Sequence, residues 1–305
     1  MARRGIARAG TAAASGGVVI PGRWSPLGAV ATRRDIAGMS RLRLGAQGWN
    51  YPAWVGPFYP RGTPARDFLA TYARAFDTVE VDSTFYAVPA VATVRGWRER
   101  TPEDFTFALK LPQEITHARR FVGSEEVAAR FLDAARELGP KLGPVLIQCG
   151  PDLGPEAAPD LTRFLDALPT DVRFAIEFRD RAWITEATHA MLAERNVALA
   201  LVAARWVPEK WMRQLAARPT ATHAYVRWMG PDRALTDYSR LQVDRTAELE
   251  AWAAVLPSLA ASVPVYGYVN NHFAGHSPAS LRMLQTMLGQ TPQDPAQLDE
   301  QFGLF

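Results

Sequence analysis

The sequence predicts an α/β protein of the (β/α)8, TIM-type class, with eight parallel strands closing a barrel in a single domain. Two observations carry this expectation. Short apolar runs alternate with helix-period runs eight times in about 250 residues, which is the count a barrel needs. The turn after the first apolar run reads GWNYPAWVGPFYP at 48–60 and is aromatic. A doubly wound open sheet, the alternative, would carry a glycine-rich phosphate turn there.

The strands are expected in order at 42–47, 78–82, 105–110, 143–149, 172–179, 197–203, 222–228 and 263–270, each a short run of aliphatic, β-branched or aromatic residues. Helices are expected at 64–76, 90–99, 124–138, 157–168, 185–195, 208–217, 245–261 and 277–288. Two helix starts carry local signals. Ser277 reads as an N-cap with Pro278 in the first helical position, and Ser124 is followed by acid at Glu126 in the first turn. The domain reading is a disordered or non-native N-terminal extension at 1–38, a barrel at 39–288 and a flexible tail at 289–305. Met39, just before the first strand, fits a start at that point.

The net charge of +3 belongs to the extension. Residues 1–38 hold six arginines (Arg3, Arg4, Arg8, Arg23, Arg33, Arg34) and one acid, Asp35, so the remaining 267 residues carry −2. A nearly neutral body argues against a duplex-binding face, which needs a basic patch. The twin Arg3–Arg4 lacks the apolar run of an export signal. The longest apolar stretch, 197–204, is eight residues, far short of the ~20 of a membrane-spanning helix. One cysteine, Cys149, allows no intrachain disulfide; with no membrane segment this points to the cytoplasm, and its apolar run reads as a buried structural thiol.

Alternation along the strands selects the residues that face the bore. Val79 and Val81 outward put Glu80 and Asp82 inward. Phe107 and Leu109 outward put Lys110 inward, and Ile147 outward puts Gln148 inward. The same argument turns Glu177 and Arg179, Tyr225 and Arg227, and Tyr266, Tyr268 and Asn270 inward. The charged members lie at the C-terminal strand ends, where barrel enzymes keep their chemistry. Glu80, Asp82 and Glu177 balance Lys110, Arg179 and Arg227, so the set is either a satisfied ion-pair network or a site. As a site, Glu80 and Glu177 are the candidate acid and base, and Lys110 and Arg227 hold a carboxylate ionised or bind an anion. Which glutamate is protonated stays open.

The rim is aromatic: Trp49, Tyr51, Trp54, Phe58, Tyr59, Phe85, Tyr86, Trp183 and Trp206. Such faces suit a sugar or a nucleobase, and equally a small core of the loop's own. Trp49, Tyr51, Tyr86, Gln148, Arg179, Trp183, Tyr268, Asn270, Asn271 and His272 are the candidate substrate-binding residues. No cofactor is expected. A divalent metal on His117, His272 and His276 with Glu80 and Glu177 is the lesser reading, because His272 and His276 are separated by Gly275.

These segments together resemble the YecE-like family, number 72 among the domains of unknown function. The resemblance rests on GWNYPAWVGPFYP at 48–60, VEVDSTFYAVP at 79–89, FTFALKLPQEITH at 105–117, LGPVLIQCGP at 142–151, AIEFRDRAW at 175–183, YVRWMG at 225–230 and YGYVNNHFAG at 266–275. It implies a TIM-barrel-like fold and no established reaction. Asp82 stands where the family has asparagine, Gly150 replaces a proline, and Asp180 and Met229 replace histidines. The two lost histidines weaken a metal centre.

The last five residues, QFGLF, are similar to the peptide with which bacterial repair proteins dock on the DNA sliding clamp, with Gln301 as polar anchor and Leu304 and Phe305 in an apolar pocket. The alternative is a tail folded back on the barrel. Three functions are therefore open: a hydrolase-like enzyme acting on a sugar- or nucleotide-like substrate at the mouth, a DNA-repair-associated, nuclease-like barrel recruited by the clamp, and a non-catalytic barrel that holds a small polar ligand.

Overall fold

Among the described residues the apolar runs become nine parallel strands, not eight. The structure, a computed structural model, describes residues 42–230 and 235–298. The expectations for 1–38 and for Gln301, Leu304 and Phe305 lie outside the described residues. The strands are β1 (Leu42–Ala46), β2 (Thr78–Val81), β3 (Thr106–Lys110), β4 (Leu142–Gln148), β5 (Phe174–Glu177), β6 (Val197–Leu199), β7 (Leu201–Ala204), β8 (Ala224–Gly230) and β9 (Val265–Val269). They form two parallel sheets, ordered β1-β9-β8-β7 and β2-β3-β4-β5-β6. This corrects the expected closed eight-stranded barrel, and the reason lies at two seams.

At the first seam a tyrosine hydroxyl stands in for the ladder. Tyr72 closes the helix Phe68–Tyr72. Its Oη accepts the Ala46 N–H at 2.6 Å and donates to the Thr78 carbonyl at 3.0 Å. The backbones are so close here that a Cβ on Gly45 would lie 2.0 Å from the Thr78 oxygen, so only glycine fits. Direct contact resumes one step on, as a single Gln47–Glu80 bridge with the Gly48 N–H donating to Glu80 O at 2.8 Å.

The second seam divides the expected strand at 197–203. Thr220 Oγ1 accepts the Leu199 N–H at 2.8 Å and donates to Val197 O at 2.7 Å, occupying the edge of β6 that would have met β8. The Ala200 N–H still pairs with Ile176 O of β5, after which Leu201 registers with Val226 of β8. Both hydroxyls satisfy buried backbone groups that the missing ladder would leave bare.

The helices cover the outside. In Glu125–Arg136 the buried residues Val127, Ala128, Phe131, Leu132 and Ala135 repeat at three- and four-residue spacing and pack one face on the sheet. The expected helix at 245–261 divides into Thr246–Ala253 and Leu256–Ser262, with Pro257 in the first turn of the second. The last helix, Ser277–Met287, has His276 as its N-cap, one residue earlier than expected. Beyond it, Leu298 is fully buried, and Arg74 donates to Leu298 O at 2.6 Å and to Gln297 O at 3.2 Å. Most of the aromatic loop is core: Trp54, Phe58 and Tyr59 are buried, and Tyr59 stacks on Phe68 at 4.5 Å.

Candidate active site

Strand alternation fills the bore in layers. Near the N-terminal end, Thr106 Oγ1 donates to Thr78 Oγ1 at 2.9 Å, and the Tyr268 hydroxyl lies 2.9 Å from the same Thr78 oxygen. One layer toward the C-terminal ends, charge begins. Arg227 of β8 is fully buried and lies between two fully buried glutamates, Glu80 of β2 and Glu177 of β5. It holds Glu80 bidentately, Nε to Oε2 at 2.9 Å and Nη2 to Oε1 at 2.8 Å. Its Nη1 donates to Glu177 Oε2 and reaches Gln148 Oε1 at 3.5 Å. The Tyr225 hydroxyl adds a third bond to Glu80, 2.7 Å to Oε2. Side chains from both sheets thus meet in one interior.

The next layer faces the mouth. Arg179 Nε donates to Glu177 Oε1 at 3.2 Å and its guanidinium lies over the Trp206 ring at 5.0 Å. Lys110 Nζ lies 3.4 Å from Asp82 and 4.4 Å from the centre of the Phe85 ring. Thr84 fixes this arrangement. It sits in the turn Asp82–Phe85, and its Oγ1 accepts the Lys110 N–H at 3.0 Å and donates to Lys110 O at 2.9 Å, tying the β2 exit to the end of β3. Arg179 keeps 18% of its side chain exposed and Asp82 34%, against none for the two glutamates. Solvent therefore meets Arg179 and Asp82 before it meets either buried carboxylate.

The two glutamates respond differently to burial. Burial pushes the Glu80 carboxyl above its ordinary range, Arg227 opposes this, and Asp82 adds to it. Burial also pushes Glu177 upward, but Arg227, Arg179 and Lys110 together outweigh it and leave the group below the ordinary value. Of the two, Glu177 is the one whose charged form its surroundings favour. Burial, followed by Glu177, raises the Cys149 thiol, which keeps the buried cysteine protonated and inert.

The remaining predicted residues divide. Asn270 Nδ2 donates to Gln47 Oε1 at 2.6 Å at the rim, and its Oδ1 accepts the His272 N–H. His272 Nε2 meets the Tyr238 hydroxyl at 3.1 Å. Tyr51 is half-buried, with its hydroxyl on Gln47 O and its ring against Trp54 and Tyr238. Tyr86 is 73% exposed. Four predicted residues make their contacts within the fold. Trp183 is buried, stacked on Phe178 at 4.6 Å with Nε1 on Leu153 O. Tyr268 lies deep in the bore. Asn271 accepts the Ser277 N–H and hydroxyl, fastening the last helix. Trp49 packs on Trp97 and Phe107 in the outer layer.

Of the residues now seen at the mouth, the sequence pattern singles out Phe85 and Trp206 as rim aromatics, His117 only as a metal ligand and Tyr225 only as inward-facing; it does not mark Gln47 or Met229 as site residues. Gln47 lies at the end of the first expected strand, 42–47, within reach of the same alternation rule. Met229, where the resemblance implies histidine, takes the Gln47 amide at 2.9 Å from its sulfur. Asp180, at the other lost histidine, caps the turn Arg181–Trp183 through Ala182 N. Among the described residues no group of three His, Cys, Asp or Glu side chains is arranged to hold a metal ion. Nor is any helix among them long and apolar enough to cross a membrane.

An α/β protein of parallel sheets around a charged interior, with its polar residues at the C-terminal strand ends, is the class that fold and site define. Within that class the chain belongs to the DUF72 family, described as a protein family of unknown function, whose model matches residues 43–301. It is 33% identical over 138 residues to the UPF0759 protein YecE of Escherichia coli K12, covering 45% of this chain and 48% of that protein. It is 31% identical over 152 residues to the UPF0759 protein YunF of Bacillus subtilis 168, covering 47% and 52%. The chain therefore spans about half the length of the curated relatives it matches. The fold is shared with DUF72 proteins of Enterococcus faecalis V583 (20% identity, TM-score 0.66, 82% of this chain and 98% of that one) and Thermotoga maritima MSB8 (22%, 0.66, 82% and 99%).

Proposed function

We propose that this chain is an enzyme of acid–base chemistry, of the hydrolase type, acting on an anionic sugar- or nucleotide-like substrate at the C-terminal strand ends. The observation that carries the reading is the pair of buried glutamates on one arginine, with carboxyl groups pushed in opposite directions. Separated acidities within one site are how a fold obtains an acid and a base at one pH. Glu177, the member whose charged form is favoured, is the base. Arg179, the partly exposed cation that covers it, binds the substrate's negative charge and in turning toward it uncovers Glu177. Lys110 is the second anion contact. Glu80, the member pushed upward, is the acid of the pair, held in place by Arg227 and Tyr225.

The test is turnover of a panel of p-nitrophenyl glycosides and phosphate esters. Glu177→Gln, with its fold verified by circular dichroism, is expected to lose 10²-fold or more of the rate, the scale of a general base. Arg179→Gln is expected to raise KM more than it lowers kcat. Wild-type turnover that survives unchanged in Glu177→Gln overturns the assignment.

A further inference from the structure

A cavity of about 520 Å³ opens beside the charged mouth, between the loops that follow β2 and β3. It is lined by Tyr86, Val88, Pro112, Gln113, Glu114 and His117, among others. The volume lies in the range that holds small organic ligands, about 300–1,000 Å³. One wall is continuous with the mouth. The Lys110 ammonium sits on the Phe85 ring at 4.4 Å, and Phe85 meets the His117 ring edge-on at 5.2 Å and Tyr86 at 5.4 Å.

His117 lies in a widened helical turn, Glu114–Ala118, of the π type that recurs at functional sites. Its Nδ1 is 2.8 Å from Thr116 Oγ1, which fixes the ring. The Nε2 edge lies beside Gly150, where a Cβ would come within 3.3 Å of Cδ2 and 3.6 Å of Nε2. Burial first, then Arg179, lowers the pKa of this imidazole, so at neutral pH the ring is uncharged and can hydrogen-bond a neutral group. Glu114 is engaged by Arg119 at 2.7 Å.

The lining favours one chemistry over the other within the substrate class. A sugar needs a polar partner for most of its hydroxyls. The larger part of this cavity's surface is apolar, with the flat Tyr86 ring beside Val88 and Pro112, and its polar groups, Gln113, Glu114 and His117, come from one segment. A planar heteroaromatic ring, apolar on its faces and polar on its rim, matches that pattern.

Resting on the proposed function, we infer that this cavity is a nucleobase subsite, and that the ligand is a nucleobase joined to a phosphate whose charge lies toward Lys110 and Arg179. The base lies against Tyr86 and hydrogen-bonds His117. The phosphate belongs to a free nucleotide or to a strand terminus; the shared chemistry is the same.

Titration calorimetry with adenosine 5′-monophosphate, uridine 5′-monophosphate, ribose 5-phosphate and a 5′-phosphorylated oligonucleotide tests this. At least one nucleotide is expected to bind about tenfold or more tighter than ribose 5-phosphate. Val88→Trp, which fills the cavity, is expected to erase that ratio while ribose 5-phosphate binds as before. Tyr86→Ala, at an exposed position that puts little of the fold at risk, is expected to reduce the ratio severalfold. An oligonucleotide that binds as tightly as the mononucleotide, with the same Val88→Trp dependence, assigns the subsite to a strand terminus; weaker binding assigns it to a free nucleotide. Equal binding of ribose 5-phosphate and both nucleotides overturns the subsite and leaves the anion site standing. Absence of binding by every phosphate overturns both.

Discussion

Glu80 and Glu177 are the same residue at comparable heights on two strands, each fully buried and each bound to Arg227. They differ in what else surrounds them. Glu80 has Arg227 bidentately and Tyr225, but Asp82 is the neighbour that follows it out of β2. Glu177 has Arg227 and then Arg179, while Lys110 acts on both glutamates at longer range. Burial pushes both toward the neutral form, and only at Glu177 do the surrounding cations outweigh it. The comparison teaches that where two buried carboxylates share one arginine, the sign of the next nearest charge, Arg179 for one and Asp82 for the other, separates them.

The strongest way to break this pair is to remove what they share. Arg227→Met takes from Glu80 its paired cation and leaves Glu177 with Arg179 alone, and is expected to cost about 3–5 kcal/mol in a urea titration. A variant with wild-type stability would mean that Arg227 does not hold the network together.

The comparison sharpens when each glutamate is neutralised alone. Glu177→Gln is expected to cost about 3 kcal/mol at pH 7, more than Glu80→Gln, because it strips the carboxylate that two arginines hold. The pH dependence carries opposite signs. Glu177 has a depressed folded pKa, so its contribution is present above the unfolded value near 4.5 and is lost as pH falls through the depressed one; the cost of Glu177→Gln shrinks toward acid. Glu80 has a raised folded pKa, so ionising it costs stability as pH rises from 4.5 through the raised value; the cost of Glu80→Gln shrinks toward base. Denaturant midpoints from pH 3 to 8 read both slopes, and parallel slopes would refute the asymmetry.

The smallest effect is expected at the bond that only Glu80 possesses. Tyr225→Phe removes the 2.7 Å hydroxyl contact and should cost about 1–2 kcal/mol while leaving the Glu177 slope untouched. A changed Glu177 slope would show that the two carboxylates titrate as one unit.

Much of this was legible in the sequence because strand alternation is a local rule. Glu80, Lys110, Gln148, Glu177 and Arg227 all point into the bore as the flanking valines, phenylalanines and isoleucines require. The rule failed for aromatic residues in loops. Nothing local distinguishes Trp183, stacked under Phe178, from Trp206, which lies under Arg179 at the mouth. It also gave no sign of the cavity at His117, which two loops form only when β2 and β3 stand side by side.

The periodicity and the charge pattern were sufficient to determine parallel α/β architecture, the end of the strands that carries charge, and the residues that fill the bore, because each follows from the side-chain period of a strand. Tertiary structure alone decided that Arg227 joins both glutamates and that the barrel is divided into two sheets. Those outcomes depend on groups far apart in the chain, Tyr72 with Ala46 and Thr220 with Val197, whose hydroxyls take over backbone hydrogen bonds at the seams. A hydroxyl can replace a ladder bond only where folding delivers it to within about 3 Å, and no local pattern encodes that distance.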